Sequence, residues 1–335
     1  MAIQEAFYFK GTKTLGNRLV DSSLRTVQAQ EDRPNSLTSG HRACQGCGEA
    51  LGARYVVDAA LRATQGQLVV VNATGCLEVF SSLYPESAWQ VPWVHSLFGN
   101  APSVATGVAA AMHAKGTSYI RVLAQGGDGS TTDIGFGSLS GMFERGDDVL
   151  YVCYDNEAYM NTGVQRSSAT PPAARTATTP PVGIAPGNVF GTGKNVPKLA
   201  LAHGIAYVAT ASIAFPRDLE EKVFKAMTFH GARYLHVHVP CPLGWGTAPQ
   251  DTLVHARNAV YSGMFPLFEG EHGRVTHSFQ LEKTIPVEAY LKGQRRFAHL
   301  FGKSGPDTER LQALQVIADA HIEEFGLVKS QGERA

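Results

Sequence analysis

The chain has no run of about 18 apolar residues, the length a helix needs to cross a bilayer, so no membrane span is expected. It has no surplus charge of either sign, since 29 Lys and Arg stand against 29 Asp and Glu. That balance gives no electrostatic reason to expect nucleic acid or an acidic lipid surface as a partner. The opening residues, "MAIQEAFYFKGTKTLG", lack a basic stretch followed by an apolar run, so no signal peptide and a cytoplasmic location are expected. No internal repeat is found. Cysteine is scarce and odd in number: Cys44, Cys47, Cys76, Cys153 and Cys241. Few cysteines and no export signal argue against a disulfide framework and for metal or redox use in a reducing compartment.

What remains is a globular composition. The 335 residues are 44% apolar and 17% charged, enough for one large or two ordinary domains with a substantial core. Residues 1–38 are mixed and polar and read as an N-terminal arm. From residue 39 the patterning becomes regular. "EALGARYVVDAALRAT" (49–64) has helical apolar spacing, and "QLVVVNATG" (67–75) is a short apolar run suited to a buried parallel strand. Helix, strand, helix and strand follow at 101–116, 119–130, 133–146 and 148–157. This order predicts a parallel α/β sheet flanked by helices. A Ser-, Thr-, Pro- and Gly-rich stretch over 161–195 is too long for an idle connection and is expected to be functional or disordered. Helix and strand resume to about 250. The remainder, 251–335, reads as a C-terminal extension making subunit contacts, mostly irregular apart from a charged helix over 307–326.

Two motifs carry chemistry. In "GGDGSTTDIGFGSLSGMFERGDDVLYVCYDNEAYMNTG" (126–163), Gly127, Asp128, Gly129 and Ser130 fall where a strand gives way to a helix. Glycines there let the backbone approach a ligand, and free N–H groups at a helix start favour phosphate. Asp128 offers a hard oxygen, and Asn156, 28 residues on, ends the next strand. Both should lie at the carboxyl edge of the sheet, where open α/β folds bind ligands. A carboxylate, an amide oxygen, a backbone carbonyl and phosphate oxygens make a Mg²⁺ shell, so the motif reads as a metal clamping a diphosphate. The second motif is "HRACQGCGE" (41–49). Its C-x-x-C suits zinc, a redox pair or an iron–sulfur cluster, and spacing alone leaves these open. Cys153, inside "VLYVCY", reads as a core residue.

The first motif resembles the diphosphate-binding motif of thiamine-diphosphate enzymes. With "NATGCLEVF", "VPWVHSLFGNA", "YDNEAYMNTGVQRSS" and "HVPCPLGW" in the same order, residues 38–300 resemble the β subunit of pyruvate:ferredoxin oxidoreductase and related 2-oxoacid:acceptor oxidoreductases. The resemblance implies the thiamine-diphosphate-binding fold of the diphosphate type. It implies thiamine diphosphate and Mg²⁺ held by Asp128, Asn156 and the Ala158 carbonyl, with Gly75, Gly127, Gly129 and Ser130 also at the cofactor. It implies a [4Fe–4S] cluster on Cys44, Cys47, Cys76 and Cys241, with Cys76 beside the cofactor. Glu49 falls in the thiamine pocket, and Asn161, Thr162 and Gly163 fall near the reacting carbon, where Asn161 could orient a 2-oxoacid. His95 and Phe98 fall near the substrate. The activity implied is oxidative decarboxylation of a 2-oxoacid, pyruvate first, to acyl-CoA and CO₂, with coenzyme A as co-substrate and ferredoxin as acceptor. An aryl or branched-chain 2-oxoacid, with NAD as final acceptor, is the alternative. A zinc-stabilised module without catalysis and a non-oxidative decarboxylase are the readings from other classes. Because only the diphosphate half of a thiamine site is legible, an α subunit should supply the pyrimidine half. Small γ- and δ-type chains should carry further clusters.

Overall fold

The computed structural model describes residues 25–30, 32–83, 86–281 and 283–328, preceded by the backbone of three short strands. These strands, β1 (Glu5–Tyr8), β2 (Thr12–Leu15) and β3 (Arg18–Leu19), pair antiparallel. The rest of the expected arm before residue 25 lies outside the described residues.

Eight further strands build one sheet: β4 (Leu68–Ala73), β5 (Trp93–Ser96), β6 (Arg121–Gly127), β7 (Val149–Asp155), β8 (Tyr207–Ser212), β9 (Arg233–His238), β10 (Phe268–Glu271) and β11 (Arg274–Ser278). Their order is β11-β10-β8-β9-β7-β6-β4-β5. The six strands from β4 to β9 are parallel, as the sequence predicts, and β10 joins β8 antiparallel.

Central β7 is buried along its whole length, which is why "VLYVCYD" shows no alternation of apolar and polar residues. Its residues still alternate in what they touch. Leu150, Val152 and Tyr154 face a layer with α1 (Gly48–Ala63). Val149, Tyr151 and Cys153 face the opposite layer, which contains α3 (Ala101–Ala114) and α4 (Phe136–Arg145). Helix α2 (Cys76–Ser81) follows β4, α5 (Val196–Ala202) precedes β8, and α6 (Pro216–Thr228) packs beside α1. Cys153 is fully buried, as its sequence context predicts.

The region after residue 250 is more regular than its sequence suggests. It holds α8 (Thr252–Tyr261), α9 (Val287–Leu291), α10 (Thr308–Glu324) and the β10–β11 hairpin that extends the main sheet. The hairpin escapes detection because β10 is short and β11 is mostly exposed, so its sequence shows no alternation of apolar and polar residues. Trp245, at the end of the short α7 (Pro242–Trp245), packs in one core with Tyr290, Phe297 and Leu314.

Residues 25–30 and 32–38 pack against the rest of the chain. Asp58 of α1, fully buried, accepts from the Ser36 backbone N–H and the Gln28 side chain, both at 2.8 Å, and Leu37 is buried. Asp58→Ala would leave a buried N–H without a partner, which costs about 1–3 kcal/mol. The expected result is a lower unfolding midpoint and faster proteolysis between residues 25 and 38, read by denaturation and limited digestion.

Candidate active site

The sheet positions the site through its strand order. From β4 the chain steps to β5 on one side, and from β6 to β7 on the other. The carboxyl ends of adjacent β4 and β6 therefore diverge, and ligands of open α/β sheets bind in that crevice. Gly75 and Cys76 follow β4, and Asp128 and Gly129 follow β6. A pocket lies there. Thr74, Gly75, Cys76, Gly127, Asp128, Gly129 and Ser130 line one part of it. Asn156, Ala158, Tyr159, Met160, Asn161 and Thr162 line another, and Glu49 and Phe98 also face it. Residues 129–134, which the sequence divides between the end of a strand and the start of a helix, form a turn of π-helix before α4. Such wide turns are frequent at functional sites.

Burial and neighbours set the electrostatics. Asp128 is buried, and burial followed by the nearby charge of Asp155 pushes its carboxyl well above the usual range. Asn156 Oδ1 is buried without a hydrogen-bond partner, while its Nδ2 donates to Glu49 Oε2 at 3.1 Å. Burial pushes Glu49 up to about 7 against the opposing effect of that bond. An orphaned amide oxygen and a carboxylate short of positive charge, on two arms of one pocket, are a donor set that a hard divalent cation satisfies.

The turn carrying Asn156 and Ala158 is held from below. Glu157, between them, adopts a left-handed backbone with φ of 67°. Its carboxylate meets Arg296 Nη2 at 2.5 Å, His238 Nε2 at 3.4 Å and the Tyr290 hydroxyl at 3.2 Å. Burial alone would raise its pKa; Arg296 first, then His238, hold it at about 2. The Arg296 guanidinium lies 3.7 Å from the Trp245 ring, and Trp245 Nε1 donates to the Asn156 carbonyl at 2.9 Å.

The cysteines converge on the same edge. Cys47 caps α1 and accepts from the Ala50 N–H at 3.4 Å, and Cys241 caps α7 and accepts from the Gly244 N–H at 3.4 Å. Gly46 and Gly48 let the C-x-x-C turn lie against the 240–249 segment. A Cβ on Gly46 would fall 2.3 Å from the Pro249 oxygen, and one on Gly48 2.5 Å from the Pro240 oxygen. Burial, then the charge of Glu49, pushes the Cys47 thiol up to about 12. Burial raises Cys76 as well, and there Cys241 and Cys47 add to the effect of Glu49. Cys241 is raised by burial, then Glu49 and Cys44, against the Gly244 N–H. The four thiols thus share one electrostatic neighbourhood. Among the described residues, no group of three or more His, Cys, Asp or Glu is already at metal-binding spacing. Cys76 and Asn161 both line the pocket, which joins it to the cysteines.

Two residues sit less centrally than their motifs suggest. Gly163 turns the chain, its N–H donating to the Met160 carbonyl at 3.2 Å, and does not line the pocket. His95 bonds Thr74 Oγ1 at 2.9 Å and so touches a lining residue instead of the pocket itself. Phe98 does line it, stacked on Tyr159. Sequence reasoning missed Tyr159, Glu157 and Asp133, which accepts from the Tyr159 hydroxyl at 3.1 Å. All three fall within the quoted motif, but their partners are distant in sequence or on another turn.

Residues 73–237 match the family described as thiamine pyrophosphate enzyme, C-terminal TPP binding domain. The chain is 50% identical over 292 residues to pyruvate synthase subunit PorB of Methanosarcina barkeri, covering 87% of this chain and 97% of that one. The chain belongs to the family of 2-oxoacid oxidoreductase β subunits. Another member, ketoisovalerate oxidoreductase subunit VorB of Pyrococcus abyssi, is 41% identical over 78% of this chain and 85% of its own length. The fold of this β subunit is similar to 2-oxoglutarate:ferredoxin oxidoreductase from Magnetococcus marinus, with a TM-score of 0.55 and 23% identity. That match covers 85% of this chain and 96% of the other. Membership makes the chain part of an oxidoreductase that works with partner subunits, and its α/β core is a thiamine-diphosphate-binding domain. Among the described residues, no helix is long and apolar enough to cross a membrane.

Proposed function

We propose that this β subunit provides the diphosphate half-site and one [4Fe–4S] cluster of an enzyme that oxidatively decarboxylates pyruvate to acyl-CoA and CO₂, using coenzyme A and passing electrons to ferredoxin. The observation that carries the reading is one pocket lined by Asp128, Asn156 and Ala158 together with Cys76 and Asn161. Asp128, Asn156 Oδ1 and the Ala158 carbonyl would hold Mg²⁺. The backbone at Gly127, Gly129, Ser130 and Gly75 would admit the diphosphate. When bound, thiamine diphosphate supplies the nucleophilic carbon and the electron sink for decarboxylation.

Asn161 would orient the carboxylate of the 2-oxoacid, with Thr162 and Gly163 shaping its turn. Glu49, between the cysteines and the Asn156 amide, belongs to the thiamine pocket. Cys44, Cys47, Cys76 and Cys241 would ligate the cluster, a one-electron acceptor of the kind four thiolates hold. The N–H donors at Cys47 and Cys241 support that use, since hydrogen bonds to sulfur tune such clusters. The described residues contain one large α/β sheet, so an α subunit would bring the pyrimidine half, and γ- and δ-type chains would carry electrons onward. A branched-chain 2-oxoacid is the second reading, favoured by the 41% identity to the ketoisovalerate enzyme subunit.

The test is elemental metal analysis of the intact complex, purified without oxygen, with EPR spectroscopy after adding pyruvate or 2-oxoisovalerate with and without coenzyme A. The expected result is iron without zinc and cluster reduction fastest with pyruvate. Zinc in place of iron would sink the cluster assignment, and faster reduction by 2-oxoisovalerate would replace the substrate.

A further inference from the structure

The stretch over 161–195 packs against the rest of the chain. Ala173 and Ala174 are buried in the core that holds Trp245 and Phe297. Asn188 Nδ2 donates to the Thr170 and Pro171 carbonyls at 2.8 and 3.1 Å. At its centre is a turn, Ser167–Thr170, closed by the Thr170 N–H on the Ser167 carbonyl at 3.2 Å. Ser167 and Thr170 are both buried.

The turn touches both arms of the metal motif. Ser167 Oγ donates to Asp128 Oδ2 at 2.5 Å. Thr170 Oγ1 donates to the Glu157 carbonyl at 2.6 Å, between Asn156 and Ala158. Each hydroxyl is also an acceptor, Ser167 Oγ from the Ala169 N–H at 3.2 Å and Thr170 Oγ1 from the Ser167 N–H at 2.9 Å. A hydroxyl has one proton to give, and each gives it across to the motif, so neither can rotate without breaking a buried bond. A second anchor lies beside it. Asp133, in the π-turn after Gly129, accepts from the Ser168 N–H at 2.9 Å and from Lys194 at 3.2 Å, near the far end of the same stretch.

We propose that the Ser167–Thr170 turn is a clamp that sets the spacing between Asp128 and the 156–158 turn, so that metal–cofactor binding and ordering of 161–195 are linked. This rests on the assignment of Asp128, Asn156 and Ala158 to the metal. Ser167 and Thr170 are positioning residues. A ligand drawing the two arms together stabilises the folded stretch, and a folded stretch pre-sets the arms, by the same factor in each direction.

The test uses the assembled complex, stripped of metal and cofactor and reloaded. Bound thiamine diphosphate is measured by equilibrium dialysis against rising Mg²⁺. Thr170→Val keeps shape and removes the donor; it should raise half-saturating Mg²⁺ about tenfold or more, with kcat at saturation preserved. Thr170→Ser, which keeps the hydroxyl, should restore wild-type behaviour. Loading should slow proteolysis around Ile184, which is 94% exposed, in the wild type and not in Thr170→Val. Wild-type Mg²⁺ dependence in Thr170→Val, or protection unaffected by the substitution, would overturn the clamp. If Thr170→Val does not assemble, Ser167→Ala carries the same readouts. A wild-type complex that binds no thiamine diphosphate defeats the functional reading; a wild type that binds it normally with unaltered variants defeats the clamp alone.

Discussion

Replacing Arg296 by methionine is expected to destabilise the protein by about 3–5 kcal/mol, the usual result of removing one partner from a buried ion pair. Glu157 and Arg296 are both buried, and Arg296 is the largest influence holding the Glu157 carboxyl at about 2 against burial. Methionine fills similar volume against Trp245 but leaves the carboxylate with His238 and Tyr290 alone. The pH dependence gives a second signature. A carboxyl whose folded pKa lies below its unfolded value contributes stability that is present above the unfolded value, 4.5, and lost as pH falls toward about 2. Wild type should therefore weaken on acidification through that window. Arg296→Met, with the depression removed, should weaken less, so the gap between them narrows from about pH 5 to about pH 3. Denaturation of the complex at several pH values reads both. A constant gap would mean that Arg296 acts by packing on Trp245 and not by charge. Double replacement with Glu157→Leu should cost less than the sum of the single changes, since no charge is then left buried and unpaired.

Asp128→Asn is expected to do the reverse: abolish activity without weakening the fold. Asparagine conserves size and removes a carboxyl that burial and the neighbouring Asp155 charge disfavour, so the unloaded protein should be at least as stable as wild type. Groups that merely orient a metal ligand cost about 10–100-fold when lost, and a direct ligand should exceed that. Activity of the assembled complex should stay depressed by more than about a hundredfold even at high Mg²⁺ and thiamine diphosphate. Unfolding midpoints of apo and loaded complex should converge, because the ligand no longer favours the folded state. A loaded complex with wild-type stabilisation would remove Asp128 from the metal shell.

The sequence by itself determined the parallel α/β core and its flanking helices. The reason is local: fully buried parallel strands are continuous apolar runs, and the helices between them carry a 3.6-residue period. It also marked the pocket. Asp128, Asn156 and Cys76 each follow a strand or sit at its end, and strand ends of a parallel sheet share one edge.

Tertiary structure decided what no local pattern encodes. Glu157 sits in a motif, but its partner Arg296 is 139 positions away in a segment that reads as irregular. Ser167 and Thr170 look like ordinary loop residues until the chain folds back and their hydroxyls meet Asp128 and the Glu157 carbonyl. Long-range hydrogen bonds and ion pairs have no period and no fixed spacing. They depend on where loops return, and a loop's path is set by the core it packs against: here Ala173 and Ala174 against the C-terminal residues around Trp245.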